Sequence, residues 1–261
     1  MTELIKIDRR LFLARLGRGA VAMAILGACE PDSAPPTVTA TTAPVATVAP
    51  TTVATTATSP TTATAMIAKY LRVDLGFVSA YVVVRGAGAA VVDTGVAGSE
   101  NAIEAALAAA NMGWDSVAHV ILTHHHPDHV GSMPAVMTAA PGATAYIGEA
   151  DLDNISGPRD PVAVKDGDEV FGLNVIGTPG HTAGHISLWD PAASVLIAGD
   201  ALNGDNGGVG EPNPQFSENH EEALAAVGKM AGLEYEALYF GHGEPVLEGA
   251  AALVADLAES L

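Results

Sequence analysis

Apolar residues recur along this chain with two periods. Tyr81–Arg85 and Ala89–Val92 are short valine-rich runs separated by Gly86-Ala87-Gly88, and they predict a β-hairpin. Val117–Thr123, Ala143–Ile147, Val162–Val164, Glu169–Ile176, His185–Trp189, Val195–Ala198 and Leu238–Phe240 have the same brief, β-branched texture and predict further strands. Helical spacing takes over at Ser99–Ala110, where Ile103 and Leu107 stand four apart and Ser99 is placed to cap the helix. A second helix is predicted over Glu221–Ala231, with Asn219 and Glu222 as a capping box, and a third over Gly249–Leu261. Strands in two clusters, with helices before and after each, predict two sheets packed face to face with helices outside.

This texture begins near Met66, so residues 66–261 are expected to form one domain large enough to close a core. What precedes it is basic, then apolar, then rich in Thr, Ala and Pro. Asp8-Arg9-Arg10-Leu11-Phe12-Leu13, followed by an apolar stretch from Leu16 to Ala28, resembles a twin-arginine export signal. Arg18 and its flanking glycines interrupt the stretch, which is shorter than the roughly 20 apolar residues of a spanning helix. It ends in Leu26-Gly27-Ala28-Cys29, which resembles a bacterial lipobox. Residues 1–29 are read as the signal and 30–65 as a tether with no apolar face to bury, reaching up to about 100 Å at roughly 3 Å per residue. The expectation is an exported protein, anchored through lipid on Cys29 to the outer face of a cytoplasmic membrane.

The formal charge is −19, but without residues 1–28 six basic residues face twenty-eight acidic ones, a net of −22. Such a surface disfavours nucleic acid, whose binders need a basic footprint, and leaves a small-molecule substrate as the expected partner. Cys29 is the sole cysteine. The domain is therefore expected to lack disulfides, and any metal site in it is built from nitrogen and oxygen.

Thr123-His124-His125-His126-Pro127-Asp128-His129 carries the most chemical information. A strand end presents residues i and i+2 on one side, so His124 and His126 are placed to grip one ion while His125 points elsewhere. Pro127 is expected to end the strand, and the turn to bring Asp128 and His129 to a second position.

Here the chain resembles the metallo-β-lactamase superfamily, whose His-x-His-x-Asp-His motif is matched from His124 to His129. Val91-Val92-Asp93-Thr94-Gly95, Thr178-Pro179-Gly180-His181-Thr182, Ala198-Gly199-Asp200 and Phe240-Gly241-His242-Gly243 match the family's other motifs in order, over about Tyr70 to Val246. The resemblance implies an α/β fold, a four-layer αββα sandwich of two mixed sheets. It implies two divalent metal ions, zinc first and iron or manganese as alternatives: His124, His126 and His181 on one, Asp128, His129 and His242 on the other, Asp200 bridging. Such a pair of ions would lower the pKa of a shared water and polarise a substrate carbonyl, so the resemblance implies attack on that carbonyl by a bridging hydroxide. Asp128 is the nearest group to pass a proton to the leaving atom. Asp93 is implied to be structural, accepting hydrogen bonds that hold the histidine loop, and His185 to line the pocket, orient a ligand, or serve only as a hydrogen-bonded histidine. His119, His125 and His220 are assigned no function.

Zinc β-lactamases typically carry Cys or Ser at the position of Asp200. Glyoxalase II shares the aspartate but adds a helical glutathione-binding domain, which is not seen after His242, and flavodiiron proteins change a histidine of the first motif. What remains is a hydrolase of esters, thioesters or lactones. Leu202–Glu218, rich in Gly and Pro, reads either as a cover over the pocket, with Asn203 and Phe216 as contacts, or as a passive excursion. The alternatives are an iron-dependent oxidoreductase like the persulfide dioxygenases, and a tethered binding protein without catalysis.

Overall fold

The computed structural model describes residues 68–261; the Arg9-Arg10 pair, Cys29 and the whole of the expected tether lie outside them. Among the described residues no helix is long and apolar enough to cross a membrane.

The predicted runs form two sheets. In the first, β1 (Lys69–Asp74), β2 (Ser79–Arg85) and β3 (Gly88–Val92) make an antiparallel meander. β4 (Val117–Leu122), β5 (Thr144–Gly148) and β6 (Val162–Val164) then add in parallel. Parallel neighbours need crossover segments. The one from β3 to β4 carries α1 (Glu100–Ala109), and the one from β4 to β5 carries α2 (Pro127–Val130) and α3 (Met133–Ala139). In the second sheet β7 (Glu169–Val170), β8 (Leu173–Gly177), β9 (Ile186–Asp190) and β10 (Val195–Ile197) are successive antiparallel neighbours. A small hairpin, β11 (Asn203–Asp205) with β12 (Gly208–Gly210), follows. α4 (His220–Ala231) then leads to β13 (Ala237–Tyr239), parallel to β10, and α5 (Ala250–Ser260) ends the domain.

Alternation along the strands sorts side chains into three apolar layers. On β2, Ala80 and Val82 pack toward Ile103 and Leu107 of α1 and Met133 and Val136 of α3, whereas Tyr81 and Val83 face the second sheet. On β10, Val195 and Ile197 face the first sheet while Leu196 packs with Val227 and Met230 of α4 and Val254 of α5. Helix, sheet, sheet and helix follow in that order, which is the expected αββα architecture.

Several local expectations need correction. The single strand expected over Glu169–Ile176 is a tight hairpin, because Phe171 and Gly172 both take positive φ, 56° and 74°, as a type I′ turn requires. Ser99 sits at the start of α1 without a side-chain capping bond; its own N–H is held by Ser132 Oγ. The capping box of α4 is half formed: Asn219 Oδ1 accepts from the Glu222 N–H, but the Asn219 N–H is taken by the Gly180 carbonyl. β4 ends at Leu122, so Pro127 opens the short helix α2 instead of closing a strand.

Candidate metal centre

The motif residues leave the C-terminal ends of strands: Asp93 after β3, His124 to His129 after β4, His181 after β8, Asp200 after β10 and His242 after β13. Pairing of β3 with β4 and of β10 with β13 brings these ends together, where ligands of mixed α/β sheets commonly bind.

Three triplets converge with candidate ligand atoms within 4.8 Å of one another: His124, His126 and His181; His124, His129 and Asp200; and Asp128, His129 and His242. His126 Nδ1 lies 2.9 Å from His181 Nε2. Asp200 turns Oδ2 to His181 Nε2 at 3.4 Å and to His242 Nε2 at 3.2 Å, and Oδ1 to His129 Nε2 at 3.3 Å. It therefore touches members of both sets named from the sequence. Asp128 Oδ2 lies 3.3 Å from His242 Nε2.

Proton counting shows which imidazole nitrogen points inward. The Thr123 hydroxyl donates to Asp93 Oδ2, so at 3.0 Å it accepts from His124 Nδ1–H. His129 Nδ1–H donates to Asp93 Oδ2 at 2.8 Å, and His242 Nδ1–H to the Phe77 carbonyl at 2.6 Å. His124 is left with a bare Nε2 facing the cluster, while His129 and His242 turn Nε2 toward the carboxylates of Asp200 and Asp128. Buried polar atoms ordinarily find partners, yet His124 Nε2, His129 Nε2 and Asp200 Oδ1 complete no hydrogen bond. A cation among them satisfies all three, so the residues present fit a metal centre.

The charge distribution agrees. Burial holds His124 well below the ordinary histidine range, His181 at about 4 and His185 at about 3, so these rings stay neutral. Burial would also depress His129 and His242, but Asp200 with Asp93, and Asp128 with Asp200, override it, raising His129 strongly and His242 to about 10. That half of the cluster is rich in carboxylate and draws positive charge.

Surrounding contacts fix the cluster. Asp93, in the left-handed region at φ 56°, accepts from the Thr123 N–H and hydroxyl and from His129, which is the expected support of the histidine loop. His185 does not line the pocket. It is buried, its Nε2 accepts the Asp200 N–H at 3.0 Å, and Nδ1–H donates to Thr178, so it positions the Asp200 backbone. His125 turns away from the cluster, as the alternation predicts, and lies 3.0 Å from Asp151. His119 packs against Tyr146 and Phe171. Gly241 has no room for a side chain: a Cβ there would fall on Asp200 Oδ1 and lie 2.6 Å from His129 Cε1.

The cluster floors a cavity of about 530 Å³, walled by Phe77, Pro127, Asn203, Asn213 and Phe216. Three of those wall residues come from Leu202–Glu218, so this segment borders the pocket. Sequence reasoning missed Asp151, Phe77 and Asn213. Buried Asp151 accepts from the His125 N–H, the Thr182 hydroxyl and the Gly184 N–H, clamping the loop of His126 to that of His181. Its only sequence signal was an acidic residue soon after a predicted strand.

Comparison with known proteins places this geometry. The hydroxyacylglutathione hydrolase of Alkalilimnicola ehrlichii is 38% identical over 156 residues, 59% of this chain and 56% of that protein. The YobT protein of Bacillus subtilis is 31% identical over 183 residues, 59% of this chain and 77% of YobT. The chain spans about half the length of the hydroxyacylglutathione hydrolases it matches. A solved metallo-β-lactamase family protein of Thermus thermophilus, TTHA1429, shares the fold with a TM-score of 0.61 at 23% identity, covering 74% of this chain and 79% of that one. The model of the metallo-β-lactamase superfamily matches residues 73–242, a span that contains every converging histidine and aspartate, and the chain belongs to that superfamily.

Proposed function

We propose that the chain is a metal-dependent hydrolase that adds water to the carbonyl of an ester, thioester or lactone. One observation carries this reading: seven histidines and aspartates converge, with imidazole nitrogens turned inward, on the floor of an open cavity. The names of the hydroxyacylglutathione hydrolases support hydrolysis of an acyl bond. In this reading His124, His126 and His181 hold one ion, Asp128, His129 and His242 a second, and Asp200 reaches both; zinc is favoured, with iron or manganese as alternatives. The ions would supply a water of lowered pKa and polarise the carbonyl oxygen.

The chain's own residues do the rest. Asp93, His185 and Asp151 hold the bearing loops at fixed separation, so little reorganisation is left to the reaction step. A hydrogen bond from His242 keeps the Asp128 carboxyl below the usual range and hence ionised near neutrality. Its Oδ2 faces His129 and His242, which leaves Oδ1 to take a proton from the attacking water and return it to the leaving oxygen or sulfur.

The test is elemental analysis of protein purified without added metal, beside a panel of small lactones, esters and thioesters. Two equivalents of zinc with turnover on the panel is the expected result. One equivalent of iron, no hydrolysis and oxygen-dependent consumption of a persulfide would replace the hydrolase by an oxidoreductase.

We also propose that Cys29 carries the lipid that anchors the exported chain, on the strength of the lipobox-like Leu26-Gly27-Ala28-Cys29. Cys29→Ser is expected to move the protein from the membrane to the soluble fraction, and unchanged sedimentation with membranes contradicts the anchor.

A further inference from the structure

Taking the hydrolase reading as its basis, we infer that this site selects an uncharged substrate whose apolar group lies between Phe77 and Phe216, and that it discriminates against the anionic thioesters of glutathione. Three observations carry the inference.

The first is the wall. Of the large apolar side chains exposed among the described residues, Phe216 at 63% and Phe77 at 62% are the most exposed, and both border the one cavity above the histidine cluster. Isolated exposed apolar residues need no explanation, but two aromatic rings at one cavity mouth mark a place where apolar surface is covered. Phe77 is held in place: its ring stacks on His242 with centroids 6.1 Å apart, and its carbonyl accepts from the same imidazole.

The second is the absence of a counter-charge. No lysine or arginine lines the cavity among the described residues. Arg72 is paired with Glu244, Lys229 with Asp166 and Arg85 with Asp190, while Arg159 donates to the carbonyls of Met137, Ala140 and Ala143. The cavity histidines His126, His181 and His242 belong to the metal cluster. A carboxylate remote from the scissile bond would be desolvated with no cation to meet it, which is costly.

The third is the rim. A shallow groove continues from the cavity past Asn203 and Asn213, and its charged side chains are Asp205 and Glu211. A leaving group long enough to reach it meets like charge if it carries carboxylates. Glutathione carries two.

The test separates charge from reaction. Two non-hydrolysable thioethers with the same hexyl chain, S-hexylglutathione and the neutral S-hexyl-N-acetylcysteamine, are titrated calorimetrically into the full metal-containing chain at 0.15 M salt. At that ionic strength the Debye length is about 8 Å, so repulsion by the distant acidic surface is screened. The neutral thioether is expected to bind at least tenfold more tightly. Phe216→Ala is expected to weaken it roughly tenfold, with a smaller effect on the S-methyl analogue. S-hexylglutathione binding as tightly as the neutral ligand, no binding of the neutral ligand, or unaltered affinity in Phe216→Ala overturns the inference. Because calorimetry needs no turnover, a chain that binds the neutral ligand but cleaves nothing on the ester panel keeps the charge preference and loses the hydrolase reading.

Discussion

Asp200→Ala is expected to lower turnover on any substrate of the panel by on the order of 10³-fold and to leave the protein short of its full metal complement. Asp200 reaches both halves of the cluster, lying 3.2 Å from His242 Nε2 and 3.4 Å from His181 Nε2 through one oxygen and 3.3 Å from His129 Nε2 through the other. Removing it deletes the charge that joins the two proposed ions. Metal ions are worth several kcal/mol in such reactions, and about 4 kcal/mol corresponds to the stated loss. The fold should survive, because Asp200 contributes no side chain to the apolar layers and its backbone N–H remains bound to His185 Nε2. The check is kcat beside bound metal per chain; unaltered values of both would remove Asp200 from the site.

Gly241→Ala should do comparable damage to binding without altering any ligand. The φ of Gly241 is not positive, so alanine is acceptable to the backbone there. The new methyl, however, has Asp200 Oδ1 and His129 Cε1 in its place. Either Asp200 turns away from the cluster or the strand end carrying His242 moves outward. Displacing the supports of a metal centre typically costs about 10–100-fold in affinity. Gly228→Ala supplies the control, since a Cβ at this helical position meets nothing within 4 Å, and the helix should gain roughly 0.5–1 kcal/mol. Competition with a chelator of known affinity measures both variants. Equal metal affinity in Gly241→Ala and the parent chain would show that the cluster tolerates a shift the geometry says it cannot.

Much of this was legible in the chain because strand alternation and ligand spacing are local. The apolar runs gave the sheets nearly to the residue, since Tyr81 and Val83 face one layer and Ala80 and Val82 the other whatever happens elsewhere. β1 went unread because Lys69, Arg72 and Asp74 break its apolar pattern, as suits a strand at a sheet edge. The β7–β8 hairpin was hidden by Phe171, a bulky residue in a conformation that favours Gly or Asn. α3 was passed over although Pro134 marks its first turn. In the site, the histidines and aspartates at strand ends were named from their motifs. Asp151 and Phe77 could not be, because their roles arise from folding: Phe77 meets His242 across 165 positions, and Asp151 joins loops 26 and more residues away. Asp205 and Glu211 acquire meaning only through the groove they border.

The proposed hydrolysis requires metal at the converging histidines. The direct test strips the purified chain with a chelator and returns zinc in measured steps, following bound metal and ester or thioester cleavage in the same samples. The expected result is no cleavage by the stripped protein, recovery as zinc fills the site up to two equivalents, and no recovery in His126→Ala. Full cleavage by the stripped chain, or zinc filling the site of the parent protein with no cleavage of any ester, thioester or lactone, would contradict it.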